Sequence, residues 1–299
     1  MNWSNAELDR APYLVSTEWL AEHLHDLGLV LVDCRYYFDG RDGLAEYSKE
    51  HLPGALHLDW SKQLIDPAAP HPGTFKLPSA ERLRETLEPL GISDSSLVVG
   101  YDDEGGHFVS RLVATMAAYG YENVRVLEGG IVKWRVEGRP LTADVPTPTR
   151  GHLSFDRPYS NVFASIDDVL NSQGDSNVVI LDVRRITEFT GDEVRARHGG
   201  RVPWARWAFW QDNLNWEGDR AFKDAQALRE RYEALGVTPD TRVITYCQGG
   251  VRAAHSALTL RLLGHPDVRI FDGSWEEWGN RDDVPIQKGP GEGRKVQDE

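Results

Sequence analysis

The chain has 299 residues, 40% hydrophobic and 27% charged, with ten Trp and nine Phe to build a core; at roughly 100–200 residues per domain, that length predicts two globular domains. Its formal net charge of −14 argues against a nucleic-acid groove or an anionic membrane as the main partner. A small anion is not excluded, because a local cluster of N–H groups and one arginine can override a distant negative field.

From the start of the chain, MNWSNAELDRAPYLVSTEWLAEHL has no apolar run behind a basic start, so no signal peptide is expected. No stretch approaches the ~18 consecutive apolar residues of a membrane span. The expectation is a cytoplasmic protein, in which a lone thiol stays reduced. LVLVD (29–33) then runs into Cys34 and Arg35 and suits a buried parallel strand. HLPGALHLDW (51–60) follows, and HPG around His71 reads as a turn. SAERLRETLEPLGI (79–92) predicts an amphipathic helix with Ser at its start and Gly past its end. SLVVGYD (96–102) reads as a strand, FVSRLVATMAAYG (108–120) as an apolar helix, and VRVLEGGIVKW (124–134) completes the series.

The same series then returns. VVILD (178–182) leads into Val183 and Arg184; GRVPWARWAF (200–209) matches 51–60, with Pro at the same place. DAQALRERYEALGV (224–237), TRVITYC (241–247), VRAAHSALTLRLLG (251–264) and VRIFDGSWEEW (268–278) repeat the rest. Strands alternating with helices predict an α/β fold, an open and mostly parallel sheet flanked by helices, occurring twice. The expected layout is a first domain over 1–141, a proline-rich join over 142–158 that wraps one domain, a second domain over 159–288 and a disordered tail over 289–299.

Two cysteines, Cys34 and Cys247, make neither a disulfide framework nor a cysteine-rich metal site. Cys34 is followed by the bulky Arg35-Tyr36-Tyr37-Phe38 and reads as a small core residue. Cys247 is different. It ends a strand and is followed by Gln248, Gly249, Gly250, Val251 and Arg252 at the start of a helix. Open α/β sheets place ligands there, where free N–H groups and the helix dipole favour an anion. Gly249 and Gly250 are expected to curl the backbone at positive φ, and Arg252 to add a cation at the rim. Such a setting favours the thiolate at neutral pH, and the thiolate is the nucleophile. In the first copy Asp102 stands where Cys247 does, in a loop one residue longer (Asp102-Asp103-Glu104-Gly105-Gly106-His107). The first domain therefore reads as a non-catalytic copy forming one wall of a cleft.

The doubled domain, the Cys-x4-Arg loop, the doubled LDxR-like strands, HLPGA and the closing FDGSWEEWG (271–279) resemble the two-domain rhodaneses, over about residues 13–288. That group includes thiosulfate and 3-mercaptopyruvate sulfurtransferases. The resemblance implies tandem rhodanese-like domains and a ping-pong transfer: Cys247 takes the outer sulfur of a small anionic donor, holds it as a persulfide, and passes it to cyanide or a thiol. It implies no metal or organic cofactor. Rhodanese-fold phosphatases use Cys-x5-Arg; the shorter loop here suits a sulfur atom and crowds a phosphate. Thiosulfate-type members carry basic residues after the cysteine and mercaptopyruvate-type members carry Cys-Gly-Ser/Thr-Gly-Val-Thr. Cys-Gln-Gly-Gly-Val-Arg is neither, and Arg252 with the missing hydroxyl leans towards thiosulfate.

Residues around the loop are candidates for supporting roles. Asp182 or Glu188 is expected to hold the loop or Arg184, with a buried ion pair at the strand end as the plain alternative. Arg195 and Arg197 lie where mercaptopyruvate-type enzymes place a carboxylate-binding arginine, with solvated surface charge as the alternative. Trp204, Trp207 and Trp210 are expected against the cleft or, more safely, in the core. His255, eight residues past Cys247, is expected to point away from the thiol, and HPDVR at His265 to form a turn. A persulfide carrier in a sulfur relay and a scaffold with a dead fold are the competing classes; the intact loop argues against the latter. A two-domain chain with an internal interface can work as a monomer.

Overall fold

The computed structural model describes residue 3 and residues 7–68, 76–158 and 161–290, so the turn expected at His71 and the tail beyond residue 290 lie outside the described residues. The first sheet is built from β1 (Leu14–Val15), β2 (Leu29–Asp33), β3 (Ala55–His57), β4 (Leu97–Tyr101) and β5 (Val124–Leu127), in the order β1-β5-β4-β2-β3. The second uses β6 (Phe163–Ala164), β7 (Val178–Asp182), β8 (Arg206–Trp207), β9 (Arg242–Tyr246) and β10 (Val268–Phe271), in the order β6-β10-β9-β7-β8. Every pairing is parallel, and the registers match: Asp33 sits opposite Tyr101 as Asp182 sits opposite Tyr246. Helices cover the sheets, which is why β2, β4, β7 and β9 are apolar almost throughout rather than alternating.

Local chemistry sets the helix ends. Ser79 accepts from the Arg82 N–H and Asp224 from the Ala227 N–H, each capping its helix as the sequence predicts. Gly91 and Gly236 close the same turns in the left-handed region. The middle strands β4 and β9 deliver the two equivalent loops, Asp102–Phe108 and Cys247–Gly250. The following helices, Val109–Ala118 and Val251–Leu262, pack against each other across the domain boundary.

The proline-rich join lies along the first domain. Thr142 pairs with His51, the Gly151 N–H donates to the Glu88 carbonyl at 2.8 Å, and Leu153 is buried. The start of the expected tail is held: the Gly289 N–H donates to Thr190 O and its carbonyl accepts from Arg201 Nη1 at 2.6 Å. No helix among the described residues is long and apolar enough to cross a membrane.

Candidate active site

Cys247 directly follows β9 and its side chain is 2% exposed. The Gly250 N–H donates to Cys247 Sγ at 3.1 Å. Gly250 makes this possible by sitting at φ +90°, a conformation that costs a residue with a Cβ but not glycine. Gly249 is not at positive φ, contrary to the expectation for the pair, because a single left-handed residue suffices to turn the N–H onto the sulfur. The helix Val251–Leu262 starts immediately after, so its positive end faces the same sulfur.

The segment after β10 holds this loop from behind. The Cys247 N–H donates to Ser274 Oγ at 3.2 Å, and Ser274 Oγ in turn donates to the Phe271 carbonyl at 2.9 Å. The Cys247 and Gln248 carbonyls accept from the Trp275 and Glu276 N–H groups at 2.9 and 2.8 Å. Gln248 Nε2 bridges Glu276 Oε2 and the Arg195 carbonyl. Ser274 adopts φ +49°, an unfavourable conformation for a non-glycine residue that these contacts hold in place. The DGSWEEW motif thus earns its resemblance by shaping the cysteine loop, and Ser274 is a site residue that sequence reasoning passed over.

The first domain shows what such a loop does when no thiol is present. Asp102 Oδ1 accepts from the Glu104 and Gly106 N–H groups at 2.9 and 2.8 Å, and Oδ2 from Phe108 and Val109 at 2.8 and 3.3 Å. The loop is an anion cradle filled by its own carboxylate. Burial pushes Asp102 up to about 6, against the pull of those N–H groups. The helix here starts at Val109, seven residues after Asp102, against four for Val251 after Cys247; it ends at Ala118 against Leu262. The extra residue therefore goes with an unwound first turn that wraps the carboxylate. Asp102→Ala orphans four N–H groups and should cost about 2–4 kcal/mol by thermal or chemical denaturation, while leaving sulfur loading of Cys247 intact by mass.

Arg252 does not stand free at the rim. It makes a two-pronged pair with Glu188, Nη1 to Oε2 at 2.7 Å and Nη2 to Oε1 at 3.0 Å, and Arg195 Nη1 lies 3.6 Å from the same carboxylate. Burial works against the charge on Glu188, yet Arg252 outweighs it and holds the carboxyl at about 2. On Arg252 burial likewise opposes the charge, and Glu188 and the nearby Cys247 more than restore it. Of the expected alternatives, Glu188 therefore holds the loop through Arg252. Arg197 pairs with Asp282 on the surface and is not brought to the site.

Asp182 and Arg184 form the buried pair expected as the plain alternative, at 2.6 Å, with the Tyr246 hydroxyl donating to Asp182 and Arg184 reaching the Gly200 carbonyl. Asp33, Arg35 and Tyr101 repeat this in the domain without the thiol. A network present in both copies belongs to the fold rather than to the chemistry of one loop.

Cys247 opens onto a cavity of about 670 Å³ between the two domains. One wall is Gln248, Arg252, Arg195, Phe209 and Trp210; the other comes from the first domain, with Tyr37, Phe38, Arg41, Trp60, Glu104 and His107. Trp210 stacks on His107 across the boundary. Trp204 and Trp207 do not line it: Trp204 bonds Ser172 and Trp207 bonds the Arg184 carbonyl. His255 turns from the thiol, its Nε2 3.2 Å from the Gly105 carbonyl, and burial pushes it down to about 3, so it stays neutral. Cys34 is fully buried, and burial first, then Asp102 and Asp33, push its thiol far up.

The model of the rhodanese-like domain matches this chain twice, over residues 16–137 and 165–281. The chain belongs to the rhodanese family. Among curated relatives, the sulfur carrier protein TtuD of Thermus thermophilus is 34% identical over 92% of this chain and 96% of its own. The thiosulfate sulfurtransferase of Azotobacter vinelandii is 32% identical over 92% of this chain and 97% of its own. Among solved structures, the 3-mercaptopyruvate sulfotransferase SseA of Escherichia coli superposes with a TM-score of 0.77 at 26% identity, covering 88% of this chain and 98% of that one. EanB in complex with ergothioneine, at 24% identity and a TM-score of 0.83 over 95% of this chain and 71% of that one, shares the fold. As a rhodanese this chain carries its one loop thiol in the second domain, and the first contributes the facing wall. That the first domain supplies a wall is expected from the sequence; which of its residues do so is not, because nothing in Tyr37-Phe38 or Glu104–His107 marks residues that meet a loop some 140 or more positions away.

Proposed function

We propose that this rhodanese moves a sulfane sulfur from thiosulfate to cyanide or a thiol through a persulfide on Cys247. The observation that carries the reading is the Gly250 N–H on Sγ at 3.1 Å at the floor of a two-domain cavity, set against the Asp102 carboxylate in the equivalent cradle. A cradle that holds a carboxylate in one copy suits a negative sulfur in the other.

The steps balance without a further reactant. The Cys247 thiolate attacks the outer sulfur of thiosulfate; the S–S bond of the donor breaks and its electron pair leaves with sulfite. The terminal sulfur of the persulfide now carries the negative charge. Cyanide, or an acceptor thiolate, attacks that sulfur, forming thiocyanate or a new persulfide and returning the Cys247 thiolate. The loop N–H and the helix N-terminus stabilise negative charge at Sγ before the first attack and after the second.

With Arg252 engaged by Glu188, the donor's sulfonate is met by Arg195, whose side chain is 41% exposed on the cavity wall. The absence of a loop hydroxyl and the relatives named thiosulfate sulfurtransferase support thiosulfate over mercaptopyruvate. Arg195→Ala should raise the thiosulfate KM by about 5–10-fold with kcat nearly unchanged, the signature of a lost ground-state contact. Steady-state thiocyanate formation with each donor tests the assignment; faster turnover with 3-mercaptopyruvate overturns the donor and keeps the mechanism. The likeness to TtuD favours a second reading, sulfur relay to a protein acceptor. Rapid persulfide loading with negligible cyanide turnover would select it.

A further inference from the structure

Resting on the reading that Cys247 carries the sulfur, we propose that Arg111, contributed by the first domain, is a positioning residue for the sulfur loop of the second. Arg111 lies on the helix Val109–Ala118 and its side chain is 0% exposed. Nη1 donates to Asp272 Oδ1 at 2.8 Å, while Asp272 Oδ2 accepts from the Leu77 N–H at 2.7 Å. Asp272 directly follows β10, two residues before the Ser274 hydroxyl that receives the Cys247 N–H. The same guanidinium lies beside the loop: a Cβ placed on Gly250 would fall 3.3 Å from Arg111 Nη1 and 3.3 Å from the Asp272 carbonyl. Gly250 therefore has Arg111 and Asp272 on the side where a Cβ would point, at the φ of +90° at which its N–H donates to Sγ. One buried cation pairs with the segment after β10 and flanks the loop that holds the sulfur.

The internal repeat sharpens the argument. Aligned on Gly120 and Gly264, which end the two helices, Arg111 corresponds to His255. Each reaches across the domain boundary to the other domain's loop region, His255 to the Gly105 carbonyl and Arg111 to Asp272, beside Gly250. The loop that contains its own carboxylate is met by an imidazole. The loop whose anion is a sulfur is met by a guanidinium. A role confined to gluing the domains gives no reason for that asymmetry; holding the N–H of Gly250 on a negative sulfur does.

Arg111→Met keeps the stem and deletes the pair with Asp272; Arg111→Lys keeps a cation. In the full chain, Arg111→Met should lower kcat for thiosulfate:cyanide transfer by about 10-fold or more and leave the thiosulfate KM within about twofold, since Arg111 does not line the cavity. Alkylation of Cys247 by iodoacetamide should slow by a similar factor, with Cys34 silent because it is fully buried. Arg111→Lys should recover most of both rates. The proposal is overturned if folded Arg111→Met keeps kcat and alkylation at wild-type values, or if Arg111→Lys is as impaired as Arg111→Met. Should Arg111→Met not fold, Asp272→Asn carries the same expectation, because it removes the charge that anchors Arg111. If the wild type transfers no sulfur, the Cys247 persulfide reading fails, and alkylation still decides the role of Arg111.

Discussion

Cys247→Ser is expected to abolish sulfur transfer and to leave the fold in place. Loss of a covalent nucleophile acts on a scale of roughly 10⁴-fold or more, and here nothing nearby can substitute. Cys34 is buried at the end of β2 in the first domain, and the equivalent loop position holds Asp102. A serine hydroxyl fits the site of a thiol that is 2% exposed and can still accept the Gly250 N–H, so the melting temperature should move by little. Two measurements check this: thiocyanate formation, and the mass of the protein after incubation with thiosulfate. The wild type should gain one sulfur atom and the variant none. A variant that keeps full activity would remove the central claim.

The fold was legible because each copy announces its buried strands directly. LVLVD and VVILD have no polar alternation, and only strands covered on both faces can be written that way. The repeat did the remaining work, since Ser79 with Gly91 and Asp224 with Gly236 mark the same helix twice. The loop was legible for a local reason too: a cysteine, a glycine pair and a helix start are contiguous. What sequence could not carry was how charge is partitioned over distance. Arg252 looked free because its partner, Glu188, lies 64 positions earlier. Arg111 looked like one more residue of an apolar helix because Asp272 lies 161 positions later. Gly249 was misread because a Gly-Gly pair states permission for positive φ and not its use. Arg195 and Arg197 are two residues apart, yet only the first lines the cavity, since the second is drawn off to Asp282.

Glu188→Gln should cost the fold about 3 kcal/mol at neutral pH, the scale for removing one partner of a buried ion pair. Glu188 is 0% exposed and Arg252 is 13% exposed, so little solvent is available to replace the lost carboxylate. Linkage gives a separate route to the same size. The carboxyl is held at about 2 in the folded chain against an ordinary 4.5, which corresponds to roughly 3 kcal/mol. The sign is that of an acid with a depressed folded value. Its contribution is fully present above about pH 4.5 and is lost as the pH falls through about 2. Denaturant unfolding of wild type and variant should therefore differ by about 3 kcal/mol at pH 7 and by only about 1 kcal/mol at pH 3. A difference that does not shrink would mean that the variant loses packing rather than charge. The functional consequence runs through Arg252. Released from its fork, the guanidinium no longer keeps a fixed place beside Cys247 on the cavity wall, so kcat should fall together with stability at pH 7. Glu188→Asp, which restores the charge on a shorter arm, should recover more of the pH-dependent stability than of kcat, because charge can pair across a wider range of geometries than a two-pronged contact can form.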